Sequence, residues 1–304
     1  MLSLRLRFLP LFALAACGAA QTRQLAITID DLPRGGDGGP TTLPAIVELN
    51  TKLLRPFREQ HIPVIGFVNE GRADLGPGGL RKILDLWLDA GADLGNHSRS
   101  HLNINEVSLD EYTADILAGE PVLRAALEPH GKKLEFYRHP YLFTGPTPEI
   151  KRNLQRFLDA HGYRVAPVTL DDDDYEFAAL YLRPEYTERV KKEYIPYMES
   201  VTAFFEKRSV EVVGREIPQT LLIHVSQLNA DLMPDLLAMF RRRGYTFISL
   251  DQALADDAYR LPEEYAGRGG FSWIHRWSKT KHMAPKGEPE APQWVQDNWK
   301  ATAR

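Results

Sequence analysis

The chain has 304 residues, 43% of them hydrophobic, with a formal charge of −4 and a sequence pI near 6.2. That is enough apolar material for one large α/β domain or two ordinary ones, and it excludes a globally disordered chain. The acidic balance argues against nucleic acid as a partner, because its binders carry a basic excess.

The first segment reads as an export leader over residues 1–20. Arg5 and Arg7 precede an apolar run from Phe8 to Ala16, which is too short to span a bilayer as a helix. Leu14-Ala15-Ala16-Cys17 is similar to a bacterial lipobox, which would place a lipid on the chain's single cysteine. Cleavage near Gly18-Ala19-Ala20 is the alternative. Either reading puts the mature protein outside the cytoplasm, as a periplasmic or cell-envelope lipoprotein or as a secreted protein. Membrane contact is then expected only through an anchor at Cys17, and no intramolecular disulfide is possible.

The run Leu25 to Asp31 is an apolar strand that ends at two adjacent carboxylates, Asp30 and Asp31. Like charges at that spacing repel unless a cation intervenes; an Asp-Asp turn is the simpler alternative. The Gly-rich loop from Arg34 to Pro40 lacks the following Lys-Ser/Thr of a phosphate-binding loop. A helix is expected over 43–60 and a buried strand over 62–68. Leu80, Ile83, Leu84 and Trp87 mark one helical face, and residues 92–95 form a short strand leading into His97-Ser-Arg-Ser-His101. Ser108 and Glu111 form a capping box for the next helix, which Gly119 and Pro121 interrupt. Phe136-Tyr137 is a brief strand. Ile150, Leu154, Phe157 and Leu158 lie on one helix, and residues 163–168 run as a strand into Asp171 to Asp174. Thr220 to His224 is a strand ending in a histidine. A helix carrying Leu232, Leu236, Met239 and Phe240 and a strand over 245–248 complete the regular part.

Strands and helices alternate without a linker to about residue 255, which means a parallel sheet with crossover helices. Nearly every strand ends in a chemically capable group: Asp30-Asp31, His97, Arg138, Asp174, His224. That distribution predicts a (β/α) barrel rather than a doubly wound sheet with one switch point. The expected organisation is a barrel over 21–255 and an irregular C-terminal extension over 256–304 packed on it. The segment 176–218 is a helical insertion. Val190, Tyr194, Tyr197, Val201 and Phe204 give it helical spacing, as one long helix kinked at Pro196 or as a flap beside the cleft. Trp273 and Trp277, one turn apart, are expected to pack across the barrel exterior, with stacking on sugar rings as the alternative.

His97 and His101 are neighbours at i, i+4 if they share a helical turn. With Asp31 they make three ligands and an open position, the arrangement of a catalytic zinc site. Asp30 then stands beside the activated water as its general base.

Five ordered segments complete the pattern: Thr28-Ile29-Asp30-Asp31, His97-Ser98-x-x-His101, Arg138-His139-Pro140-Tyr141, Asp171-x-x-Asp174-Tyr175 and Leu222-Ile223-His224. Over about residues 25–250 the chain resembles the NodB-homology polysaccharide deacetylases, carbohydrate esterase family 4. The resemblance implies a distorted (β/α) barrel holding one divalent metal, zinc or sometimes cobalt or nickel. It implies an enzyme that removes N- or O-linked acetyl groups from a carbohydrate or cell-envelope polysaccharide, with an acetylated glycan as its partner. It assigns Asp30 as base, Asp31, His97 and His101 as metal ligands, and Arg138 as the residue that holds the base. Tyr141 would donate a backbone N–H to the oxyanion, His224 would be the acid, and Asp174 would orient it. Leu32 stands where the family has glycine and Tyr175 where it has tryptophan, which bears on substrate preference. His139 is expected to be packed or solvated rather than catalytic. Hydrolysis of another non-peptide C–N bond on the same barrel, or glycan binding without catalysis by a lipoprotein, are the alternative functions.

Overall fold

A computed structural model describes residues 23–302 except residue 77; the leader and Cys17 lie outside the described residues. The strands are β1 (Arg23–Leu32), β2 (Val64–Val68), β3 (Asp93–Asn96), β4 (Phe136–Tyr137), β5 (Arg164–Val165), β6 (Gln219–His224) and β7 (Tyr245–Phe247). All pair in parallel, in the order β5-β4-β3-β2-β1-β6, with β7 on the first residues of β1. Parallel strands covered on both faces read as continuous apolar runs. β1 does so, being buried without interruption from Leu25 to Leu32.

The sheet curls into a ring. The segment 164–170 pairs with β4 at its start, where Ala166 N–H donates to Tyr137 O at 2.8 Å. At its end Leu170 bridges Leu221 of β6. The strand expected over 163–168 is therefore regular only at Arg164–Val165, because its later residues swing from one neighbour to the other to close the barrel.

Helices fill the crossovers: α1 (Leu43–Glu59), α2 (Gly79–Asp89), α3 (Leu109–Ala118), α4 (Glu120–Leu127), α5 (Pro148–Ala160), α6 (Asp174–Tyr181), α7 (Pro184–Val213) and α8 (Gln227–Arg242). After β7 come α9 (Leu250–Leu254), α10 (Trp273–Thr280) and α11 (Gln293–Thr302). Ser108 accepts the Glu111 N–H at the start of α3, and Gly119 ends that helix. α7 is one continuous helix with Pro196 inside it. Val190, Tyr194, Tyr197, Val201 and Phe205 are buried along it, so its stripe faces the core, whereas Phe204 is only partly buried. No described helix is long and apolar enough to cross a membrane.

Leu32, the substitution beside the Asp pair, is fully buried and turned into the core. A Cβ on Gly66 of β2 would lie 2.7 Å from its Cδ2 and 2.8 Å from Trp87 Cζ3. The bulky residue is thus accommodated by a glycine on the next strand. Gly66→Ala should destabilise the protein by about 1–3 kcal/mol through overpacking, read as a lowered urea midpoint at unchanged slope. An unchanged midpoint would remove this packing account.

Candidate active site

Successive residues of a strand point to opposite faces, yet Asp30 and Asp31 line one cavity. The β1–β2 register shifts between Ile29 and Leu32, and Asp31 takes a left-handed backbone (φ 65°). That local irregularity turns both carboxylates the same way. Irregularities of this kind persist only where surrounding structure holds them.

The histidine segment is not a helical turn, contrary to the expectation from its spacing. It is a loop in which Ser98 (φ 62°) and His101 (φ 54°) are left-handed. Local hydrogen bonds over-determine it: Asn96 Oδ1 accepts the Ser98 N–H at 2.8 Å and Ser98 Oγ the His101 N–H at 3.1 Å. Gly71 N–H donates to Arg99 O, where a Cβ on Gly71 would sit 2.7 Å from that oxygen. The rings still meet, with centroids 4.8 Å apart. His97 Nε2 lies 3.8 Å and His101 Nε2 3.7 Å from Asp31 Oδ1.

The ligand atoms of Asp31, His97 and His101 all fall within 4.8 Å of one another, and no other described group meets that spacing. Two imidazoles and a carboxylate suit a tetrahedral ion with one position open. His97 Nδ1 donates to Arg138 O at 2.9 Å, which leaves Nε2 as the metal-facing lone pair. Asp31 Oδ1 is buried without a hydrogen-bond partner, a state that a bound cation would relieve. The donor set therefore fits a divalent metal.

Asp30 and Asp31 differ in electrostatics. Burial pushes Asp30 up to about 6, and Arg138, with Nη1 3.6 Å from Asp30 Oδ2, only partly offsets it. Desolvation thus outweighs the pull of Arg138 toward the carboxylate form. For Asp31 burial also acts upward, but His101, Arg72, His224 and His97 outweigh it and its pKa is lowered. Arg138 itself is fully buried, bonds Thr28 Oγ1 at 2.7 Å and lies over the Phe67 ring.

Across the cavity, His224 Nδ1 lies 2.6 Å from Asp174 Oδ1. The other Asp174 oxygen accepts the His224 backbone N–H (2.8 Å) and Asn229 Nδ2 (2.7 Å). Burial pulls the His224 pKa down, but Asp174 by charge and hydrogen bond, with Asp31 and Asp30, raises it to about 10. The imidazolium is the form present at neutral pH, with Nε2 left to donate. Tyr141 is left-handed (φ 56°), half exposed, and edge-on to His101 at 4.4 Å. Tyr175 lies edge-on to His224 at 6.1 Å. His139 is buried and held neutral, its pKa lowered to about 3 by burial and then by Arg276, Lys151 and Arg138.

Asp30, Asp31, His97, His101, Tyr141 and His224 line one cavity of about 780 Å³; Arg138 and Asp174 stand behind it through the contacts above. Three contributors escape sequence reasoning. Arg72 binds Asp31 Oδ2 at 2.7 Å, leaving the other oxygen for a metal. Asn229 holds Asp174. Arg276 of α10, fully buried, donates to Leu142 O (2.5 Å) and Thr144 Oγ1 (2.9 Å), which fastens the loop that carries Tyr141. None belongs to a short motif, although Asn229 stands in the first turn of α8, just after His224. Trp273 and Trp277 are buried as packing residues, but the tail is not confined to the exterior. Gly270, Glu288, Glu290 and Trp299 line the cavity, because the Arg276 clamp draws the tail over the strand ends.

The class this defines is a hydrolase-type site, with a trio able to hold a metal and a second buried carboxylate on one side and a charged histidine on the other, at the C-terminal ends of a curled parallel sheet. A family model, polysaccharide deacetylase, matches residues 18–166, and over that stretch the chain is similar to that family. A peptidoglycan-N-acetylglucosamine deacetylase of Bacillus cereus is 24% identical over 165 residues, which is 54% of this chain and 51% of that one. The chain thus spans about half the length of the curated relative it matches. A chitin deacetylase from Colletotrichum lindemuthianum has a similar fold, with a TM-score of 0.54 at 21% identity, covering 83% of this chain and 94% of that one. So has a carbohydrate esterase family 4 pseudoenzyme from Bacillus anthracis, at TM-score 0.50 and 15% identity, covering 77% and 66%. At such identities these two likenesses speak for the fold alone.

The His224 folded-state pKa lies above its unfolded value of 6.5. Its ion pair therefore stabilises the fold fully below about pH 6.5, and that contribution is lost as pH rises through about 10. Asp174→Asn should bring the His224 pKa below 6.5, since burial then acts without its main counterweight, and should abolish this pH dependence of stability. NMR titration of His224 and denaturation across pH 6 to 11 check both. A His224 pKa that stays near 10 would refute the pairing as its cause.

Proposed function

We propose that the protein is a metal-dependent hydrolase that removes acetyl groups, N- or O-linked, from a carbohydrate of the cell envelope. The observation that carries this reading is the placement, in one cavity, of Asp31, His97 and His101 beside the unpaired Oδ1 of Asp30, with the Asp174-held His224 opposite. A likeness of fold does not carry it, since one fold relative is described as a pseudoenzyme; this chain's own base, ligands and acid do.

When bound by Asp31, His97 and His101, a divalent ion supplies Lewis acidity to the acetyl carbonyl and to the attacking water. Zinc is the identity proposed, given the His/His/carboxylate donors. Asp30 accepts the proton of the water whose oxygen bonds to the acyl carbon. A group titrating near 6 suits a base at neutral pH. Arg138 fixes the position of that carboxylate through its ion pair and its Thr28 bond. The Tyr141 backbone N–H is proposed to stabilise charge on the carbonyl oxygen. As the C–N or C–O bond to the sugar breaks, His224 Nε2 protonates the departing amine or alkoxide, giving acetate and the free sugar group. We propose further that Cys17 is the site of a lipid anchor in the cell envelope; Cys17→Ser should move the protein from the membrane to the soluble fraction.

Acetate release from acetylated chitooligosaccharides, xylan or peptidoglycan should vanish with a chelator and return with zinc, cobalt or nickel. Asp30→Asn should lower kcat by about 10²–10⁴-fold, as loss of a general base does. Activity that survives complete metal removal, or an undiminished Asp30→Asn, would overturn the proposal. The pH–rate profile should be a bell. Its rising limb belongs to Asp30, at or below about 6, and its falling limb to His224, at or below about 10, because a nearby cation lowers both pKa values.

A further inference from the structure

One wall of the cavity has no part in the chemistry just described. Asp171, Asp172, Asp173, Glu176, Glu288 and Glu290, from the loop before α6, α6 itself and the C-terminal tail, all line it. Several of these carboxylates are satisfied by the protein. Asp173 accepts from Tyr197 and from the Ala291 N–H, Glu288 pairs with His275, and Glu290 accepts from Gln296. Two are not. Glu176 is 6% exposed and Asp172 9%, and Glu176 Oε2 and Asp172 Oδ2 are buried with no hydrogen-bond donor. Lys300, the cation that acts on Glu176 through space, is itself exposed on the last turn of α11.

A buried carboxylate oxygen without a donor is unfavourable unless a ligand supplies one. The described residues of this wall include no His/Cys/Asp/Glu group spaced to hold a metal ion, which leaves an organic donor to be considered. Tyr175 and Trp299, edge to face at 5.3 Å, line the same wall. Aromatic faces beside carboxylates are the chemistry that receives an ammonium group, and their rings also offer apolar area to a sugar.

We infer that this wall is a subsite for the protonated amine of a 2-amino sugar, held by Glu176 and Asp172 beside the Tyr175–Trp299 pair, so that the protein takes partly de-N-acetylated glycans. The inference rests on the deacetylase reading in taking an amino sugar, whose free amine is also that reaction's product, as the source of the ammonium. Its test needs no turnover. Burial, reinforced by the neighbouring acids, biases both groups toward their neutral form, a bias that a bound ammonium would reverse.

The experiment is calorimetric titration of the full chain with the glucosamine tetramer and, separately, the N-acetylglucosamine tetramer. Wild type, Glu176→Gln and Asp172→Asn are compared at one salt concentration. The glucosamine tetramer should bind wild type at least about tenfold more tightly. Each isosteric substitution should remove most of that preference, about 5- to 10-fold as expected for a lost charge-assisted hydrogen bond, while the N-acetylated tetramer loses less than about twofold. Equal affinities in wild type, or a preference that survives both substitutions, would overturn the subsite. Tighter binding of a lysine-bearing peptide than of the glucosamine tetramer would overturn it in favour of a peptide ligand. Binding as expected in a protein that releases no acetate would uphold the subsite and defeat the deacetylase reading.

Discussion

Burying two neighbouring carboxylates at the end of a central strand is the constraint on which the site depends. Both are almost wholly removed from water, and a lone buried carboxylate is driven toward its neutral form. The surroundings resolve the problem differently for each. Asp31 is met by Arg72 at 2.7 Å and by two imidazoles, so its charge is kept. Asp30 has Arg138 at 3.6 Å and one oxygen with no partner, so its pKa stays high. Asp31 is thereby kept an anion, and Asp30 is held nearer its neutral form.

That division relies on parts of the chain far apart in sequence. Arg72 comes from the segment after β2, and the same segment is stitched to the histidine loop by the Gly71–Arg99 hydrogen bond and the Arg99–Glu70 ion pair at 2.8 Å. Arg138 both pairs with Asp30 and, through its carbonyl, orients His97. The His224 side has its own support in Asp174 and Asn229. Each side is a connected set of buried polar groups. Removing any member leaves another desolvated and unpaired, which is more damaging than the mean worth of a single hydrogen bond suggests.

The C-terminal extension belongs to this arrangement and is not an appendage. Ser272 Oγ donates to Thr169 O and Trp273 N–H to Val168 O, at the place where the sheet closes. Arg276, stacked at 4.5 Å on Trp273, then clamps the Tyr141 loop. A Cβ on Gly270 would fall 1.8 Å from Tyr141 O, so the tail approaches that loop backbone to backbone. From there it runs on to place Glu288, Glu290 and Trp299 on the cavity wall.

Strand and helix periodicity, the residues at strand ends and the order of five short segments were legible in the sequence, and with them the barrel and the metal trio. They were legible because side-chain period and strand-end chemistry are local properties. Asp30-Asp31 announced itself as a charge problem for the same reason. What the sequence could not show was set by contacts outside the short motifs, between residues from 2 to 134 positions apart. The i, i+4 spacing of His97 and His101 suggested a helical turn, whereas Asn96, Ser98 and Gly71 hold a left-handed loop. Leu32 stood out only as a departure from glycine, and it is Gly66 and Trp87 that absorb it into the core. Arg72, Asn229, Arg276 and the unpaired Glu176 lie outside every motif. Their roles follow from which atoms are buried together, and that only the tertiary structure decided.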